Sequence, residues 1–175
     1  VAITLRLALF LVYRRGMELR YLTPLTASEQ ISQGLDQAKP MALADRVRFS
    51  ELDILRHVNN KAYLGWFETA RVSYFDRLCA KHFNGLPAPR SVLRNANVHY
   101  RREMVLDEPY ITTARVIAFR NTSYVMEQQI WSGGLRATLE AVMVLRSPDG
   151  SAGYPLPETL KQQFIDIDGA RPDQD

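Results

Sequence analysis

The stretch that follows Asn59-Asn60 constrains this chain more than any other. Tyr63, Phe67, Ala70, Tyr74 and Leu78 recur at steps of three and four, the spacing that places side chains on one face of an α-helix. Leu64, Phe75 and Cys79 widen the stripe, and Trp66 sits on its flank. So wide a stripe predicts a helix over residues 60–80 that is enclosed by other structure rather than resting on a surface. About 20 residues at 1.5 Å each make it ~30 Å long. Asn84-Gly85 marks its end, and Pro87 and Pro89 forbid its continuation.

The enclosure has to come from strands. Residues 44–50 alternate, with Val47 and Phe49 on one side and Arg46 and Arg48 on the other, as in a half-buried strand. After the helix, residues 91–103 carry Val92, Ala96, Val98 and Tyr100 on one parity. Residues 110–119 are rich in β-branched and aromatic side chains, and residues 122–131 follow a tight Arg120-Asn121 break that predicts a hairpin. Gly133-Gly134 makes the next turn, and residues 135–146 alternate clearly. Strand, long helix, then about four antiparallel strands predicts an α+β fold, one curved sheet wrapped around one helix. Residues 41–150 form that domain. Residues 1–40 are a lead-in, polar over residues 22–40, with one short helix near residues 27–33. Residues 151–175 hold a short helix at 157–165 and an acidic tail, 171–175, expected to be disordered.

The chain's 175 residues suit a single domain, and 46% hydrophobic with 23% charged residues is the balance of an ordinary globular protein. One cysteine, Cys79, excludes an internal disulfide and fits a reducing compartment, so a cytoplasmic location is expected. His57, His82 and His99 are scattered, without zinc-like spacing, so no metal is expected. A net charge of +3, with arginines only in pairs, lacks the dense basic stripe of a nucleic-acid binder. Residues 1–12 are mostly apolar, but the unbroken run 7–13 is far short of the ~20 residues that span a bilayer. It reads either as a membrane-surface helix or as an extension upstream of a natural start at Met17.

Asp53 is the candidate reactive group. It lies in the loop between the first strand and the helix, and a helix start presents unpaired N–H groups and partial positive charge. Those donors stabilise a carbonyl oxygen as charge builds on it, while a carboxylate beside it attacks the carbonyl or deprotonates a water. Spacing alone favours the plainer reading, an aspartate that caps its own loop.

The stretch RVRFSELDILRHVNNKAYLGWFETAR resembles the 4-hydroxybenzoyl-CoA thioesterase-like branch of the hotdog superfamily, whose pattern is Asp-x-x-Gly-His-Val-Asn-Asn followed by a Tyr-Leu-x-x-Phe-Glu helix. Asp53, His57, Val58, Asn59, Asn60, Tyr63, Leu64, Phe67 and Glu68 stand in those places. The resemblance implies a hotdog fold, hydrolysis of acyl-CoA without a cofactor, and a homodimer or homotetramer with sites at the subunit interface. It carries the acidic residue onto Asp53 and the carbonyl-polarising N–H onto Asn60. Glu68 is a second catalytic candidate, since some hotdog enzymes use a helix glutamate; the alternative is an ion pair, for which Arg71 stands at i+3. His57 either orients Asp53 or a water, or fixes the loop through the backbone. Asn59 is expected to cap the helix. Tyr63 lines an acyl pocket or belongs to the core. Arg56 departs from the family's glycine: it reaches a ligand or is a plain exposed side chain. Acyl-carrier-protein thioesterase and a non-catalytic acyl-CoA-binding protein are the alternatives. The His-Gly-Pro pattern of hotdog dehydratases is not found.

Overall fold

The computed structural model describes residues 19–173, so the expectations for the apolar run 1–12 and for Met17 lie outside the described residues. Strand β1 (Met41–Arg46) leads through a 3-10 turn (Phe49–Glu51) to helix α2 (Asn60–Tyr74), preceded by a short helix α1 (Ala27–Ser32). α2 runs on as a wider π turn (Phe75–Cys79) and a 3-10 turn (Ala80–Phe83). Four long strands follow, β2 (Arg90–Tyr100), β3 (Pro109–Phe119), β4 (Ser123–Trp131) and β5 (Leu135–Arg146). Helix α3 (Glu158–Gln163), a π turn (Phe164–Asp168) and a two-residue strand β6 (Arg171–Pro172) complete the order. The sheet runs β1-β3-β4-β5-β2, antiparallel throughout, with β6 added parallel to β3. This is the hotdog arrangement, one sheet curved about one long helix.

α2 buries Tyr63, Trp66, Phe67, Ala70 and Tyr74 against the inner side chains of the sheet, among them Met126, Ile130, Leu139 and Met143. The enclosure is one-sided within a single chain, because Leu64 on the helix flank and Val72 on the opposite face are 44% and 54% exposed. On the outer side of β1 and β3, Leu25 and Leu35 of the lead-in cover Ala42, Ala44 and Ile111. The lead-in also pairs with the free edge of β1, through Leu22 N–H to Ala44 O and Leu25 N–H to Ala42 O, both 2.9 Å.

Three expectations need correction. The first strand spans Met41–Arg46 rather than residues 44–50, because the Glu51 carboxylate accepts the Arg48 N–H at 2.7 Å and turns the chain there. Val47 is buried but Phe49, beyond that turn, is 80% exposed. In β2 a bulge between Leu93 and Asn95 switches parity, so Leu93 opposes Met143 on the inner face while Val92 opposes Val144 on the outer one; a one-residue slip exchanges the two faces. Arg171 to Asp173 are ordered: β6 pairs with Ala118 and Phe119, and Asp173 N–H donates to Phe119 O at 2.8 Å.

Candidate active site

The loop between β1 and α2 is tied down at both ends. Leu52 and Val58 form an antiparallel bridge, Asn59 N–H donates to Glu51 O at 2.8 Å, and Val58 N–H donates to Met104 O at 2.9 Å. The Trp66 indole N–H reaches back from the helix to the Glu51 carboxylate at 2.8 Å. Between these ties, Asp53 N–H donates to His57 O at 2.8 Å and Arg56 N–H donates to Asp53 O at 3.0 Å. That is the bonding of a three-residue hairpin loop closed by a left-handed residue. The left-handed residue is Arg56, with φ of 62°. Arginine therefore takes the conformation that glycine adopts freely, and the loop keeps its shape at the cost of local strain.

Asp53 is half-buried, with its carboxylate turned onto its own loop. Its Oδ1 accepts the Leu55 N–H at 2.8 Å and the His57 N–H at 3.3 Å. All its carboxylate bonds use Oδ1, so Oδ2 is without a partner among the described residues. Loop-capping and an available carboxylate oxygen thus coexist in one side chain. His57 contributes through its backbone; its ring makes no hydrogen bond among the described residues.

Asn59 is the N-cap, its side-chain oxygen accepting the Lys61 N–H at 3.0 Å. The N–H groups of Asn59, Lys61 and Ala62 all have acceptors. The N–H of Asn60, the first helical residue, has none among the described residues. A helix start normally leaves several donors open; here the cap narrows them to one beside the Asp53 loop. The Tyr100 hydroxyl lies 3.4 Å from the Asn60 carbonyl oxygen and tethers the end of β2 to this turn.

The other named residues separate. Tyr63 is buried, packed edge-on to Tyr100 at 5.2 Å and tilted against Trp66 at 5.1 Å, and burial pushes its hydroxyl up to about 12. Glu68 is exposed and eight residues along the helix from Asn60, about 12 Å at the helical rise. It forms no ion pair with Arg71, whose guanidinium instead donates to the Gln128 amide oxygen at 3.3 Å. Arg56 is exposed. Sequence reasoning missed Glu51, whose contact with Trp66 locks the loop to the helix across 15 positions; the only signal was the flank position of Trp66.

The chain matches the family model for the thioesterase-like superfamily over residues 47–164, which is more than half of its length. Among solved structures, a thioesterase-superfamily protein from Jannaschia sp. CCS1 is 38% identical with a TM-score of 0.78, covering 86% of this chain and 97% of its own. A thioesterase from Thermus thermophilus, solved with coenzyme A and zinc, is 28% identical with a TM-score of 0.62, over 73% of this chain and 98% of its own. A 1,4-dihydroxy-2-naphthoyl-CoA thioesterase from Synechocystis is 15% identical with a TM-score of 0.60, over 73% of this chain and 96% of its own, a likeness of fold alone. No curated protein matches the sequence. The family match, over the residues that build the Asp53 loop, the central helix and strands β2 to β5, makes this chain a member of the thioesterase-like superfamily.

Proposed function

We propose that this protein hydrolyses acyl-CoA thioesters to a free carboxylic acid and CoA, with Asp53 as the reactive carboxylate and the Asn60 N–H as the donor to the thioester carbonyl. The observation that carries the reading is the Asn60 N–H at the helix start, unpaired among the described residues while the N–H groups of Asn59, Lys61 and Ala62 have acceptors, following a loop whose Asp53 carboxylate keeps one oxygen open. The coenzyme A in the Thermus relative supports the carrier.

The chemistry follows from those two groups. The Asn60 N–H, aided by the positive end of the helix dipole, stabilises the negative charge that forms on the carbonyl oxygen. Asp53 Oδ2 then acts in one of two ways. It attacks the carbonyl carbon, expelling CoA as the thiolate and leaving a mixed anhydride that water cleaves; or it takes a proton from a water that attacks directly. Either route consumes one water and yields acid and CoA.

A second copy of the chain completes the site in this reading. β2 is a bare edge of 11 residues, exposed along nearly its whole length, whereas β1 at the other edge is paired with the lead-in. The exposed Leu64 and Val72 of α2 lie on the helix face that the chain's own sheet leaves uncovered. An antiparallel β2–β2 junction pairs that edge and covers this face.

Asp53→Asn tests the chemistry without removing the loop cap, because asparagine keeps an oxygen for the Leu55 and His57 N–H groups. We expect acyl-CoA turnover, followed by thiol release, to fall by about 10³-fold or more with an unchanged melting temperature. Near-normal turnover would overturn the assignment.

A further inference from the structure

One stripe of α2 reads the same from either end. Leu64, Glu68, Arg71 and Phe75 stand four, three and four positions apart: an apolar residue, an acid, a base and an apolar residue. That spacing sets them in a row along one side of the helix. The side is the one toward β2, because Glu68, Arg71 and Phe75 share a cavity of about 170 Å³ with Ser91 and Leu93 of that strand. The two charges lack partners of opposite sign. Glu68 is exposed and makes no hydrogen bond or ion pair among the described residues. Arg71 is half-buried, and its one hydrogen bond among the described residues goes to the neutral Gln128 amide oxygen, at 3.3 Å. A guanidinium away from bulk water is normally held by a carboxylate that accepts from it. Burial pushes the Arg71 pKa down, and Glu68 opposes the shift from a distance.

The bare β2 edge dictates how a second copy meets this stripe. A two-fold axis that pairs the whole strand with itself, antiparallel, brings Tyr100 opposite Arg90 of the second copy. Tyr100 is tethered to Asn60 at the start of α2. Ser91 and Leu93 lie beside the later part of the helix, next to Arg71 and Asp76. The same axis therefore sets the two α2 helices side by side and antiparallel. In that arrangement the stripe meets its own reverse, Leu64 against Phe75 and Glu68 against Arg71, each contact occurring twice. The strand backbone leaves the register open, because the bulge between Leu93 and Asn95 interrupts the edge near its middle.

We propose that Glu68 and Arg71 of two copies form reciprocal ion pairs across this axis, and that the pairs fix the register of the β2–β2 junction. Glu68 is then a pairing residue and not a base. The pairing also bears on the reaction. Asn60 is exposed and Tyr100 is 43% exposed, so the β2 side of the proposed donor is open to water in one chain. With the register set, Phe75 and Leu93 of the second copy lie against that side and exclude water from it. This last step rests on the acyl-CoA reading above; the pairing itself does not.

Charge reversal is the test. Glu68→Arg sets arginine against arginine across the axis, and Arg71→Glu sets glutamate against glutamate. Each variant alone should weaken the dimer about 100-fold or more, read by sedimentation velocity of the full-length chain over a dilution series, and thiol release should fall in step with the dimer. Mixed in equal amounts, the two variants should form a heterodimer and recover thiol release, a rescue that no pairing within one chain produces. Circular dichroism checks the fold of each. Position 68 is exposed, so Glu68→Arg decides the matter if Arg71→Glu does not fold. A Glu68→Arg chain that dimerises like the wild type, or folded variants that do not rescue one another, would overturn the proposal. A monomeric wild type that releases thiol would overturn the pairing and uphold the thioesterase reading. A wild type whose dimer obeys the charge rules but releases thiol from no acyl-CoA would uphold the pairing and overturn that reading.

Discussion

The two ends of the central helix are built on opposite terms. At its far end the buried polar side chains Tyr74, Asp168 and Gln163 are all engaged. The Tyr74 hydroxyl donates to the Asp168 carboxylate, 2.8 Å from each oxygen, and Asp168 also accepts the Val116 N–H at 2.8 Å. The His82 ring lies 2.9 Å from the Thr159 hydroxyl and 2.9 Å from the Gln163 amide oxygen, and Gln163 donates to Leu78 O at 3.0 Å. At the near end the Asn60 N–H and Asp53 Oδ2 are unpaired among the described residues, Arg56 is held left-handed, and Ile54 and Leu55 are 98% and 68% exposed. One end is fastened to the C-terminal segment, and the other keeps its polar groups available. Reactive constellations need a rigid support, and strain collects where such groups are presented.

The largest test of this contrast is Asp168→Ala. It leaves the Tyr74 hydroxyl and the Val116 N–H buried without an acceptor, which should cost about 3 kcal/mol of folding stability. Below the lowered melting temperature, thiol release should persist, because the near end is untouched. Loss of activity in a protein still folded by circular dichroism would show that the two ends are not independent.

The same carboxylate gives stability a pH dependence. Burial, offset in part by its hydrogen bonds, pushes Asp168 from 3.8 up to about 6. Below pH 3.8 the folded and unfolded chains both carry the proton. As pH rises, the unfolded chain loses it first, so stability declines until the folded group ionises near pH 6. The decline is on the order of 3 kcal/mol and levels off above that window. Urea unfolding of wild type and Asp168→Asn between about pH 4 and pH 7 isolates it; parallel curves would contradict the assignment.

A smaller effect is expected at the cap. Asn59→Ala removes the acceptor for the Lys61 N–H and should cost about 1 kcal/mol. It also leaves Asn60 with a second open donor beside it, so kcat should fall while Asn59→Ser, which restores the acceptor, recovers it. Equal kcat in both variants would show that the cap serves folding alone.

The contrast between the ends was only half legible in the sequence. The near end rests on local rules, namely an asparagine cap, a short loop and a helix with a 3.6-residue period, so Asp53, Asn59 and Asn60 could be placed from spacing and motif. The far end depends on Asp168 meeting Tyr74, 94 positions away, and no local pattern encodes such a pairing. The bulge in β2 escaped for a related reason: alternation across Val92 to Tyr100 reads smoothly through Arg94, and only the pairing with β5 reveals the extra residue. The exposed face of α2 was hidden too, since periodicity records how apolar a helix is and not which chain covers it.

Arg56→Gly gives the smallest and most diagnostic change at the near end. A left-handed arginine costs about 1–2 kcal/mol in backbone energy, part of which glycine returns through its greater freedom in the unfolded chain. The net expectation is a gain of about 0.5–1 kcal/mol in folding stability, read from the urea midpoint at constant m-value. The kinetic constants then decide what the arginine is for. With the loop held by the same Asp53–His57 and Asp53–Arg56 backbone bonds, a purely exposed side chain predicts unchanged kcat and KM. A KM for acyl-CoA that rises with kcat constant, and rises less at high salt, identifies Arg56 as a contact to the phosphates of CoA. In that outcome the strain at position 56 is retained for the guanidinium it presents, and the open end of the helix is tuned for its ligand as well as for its reaction.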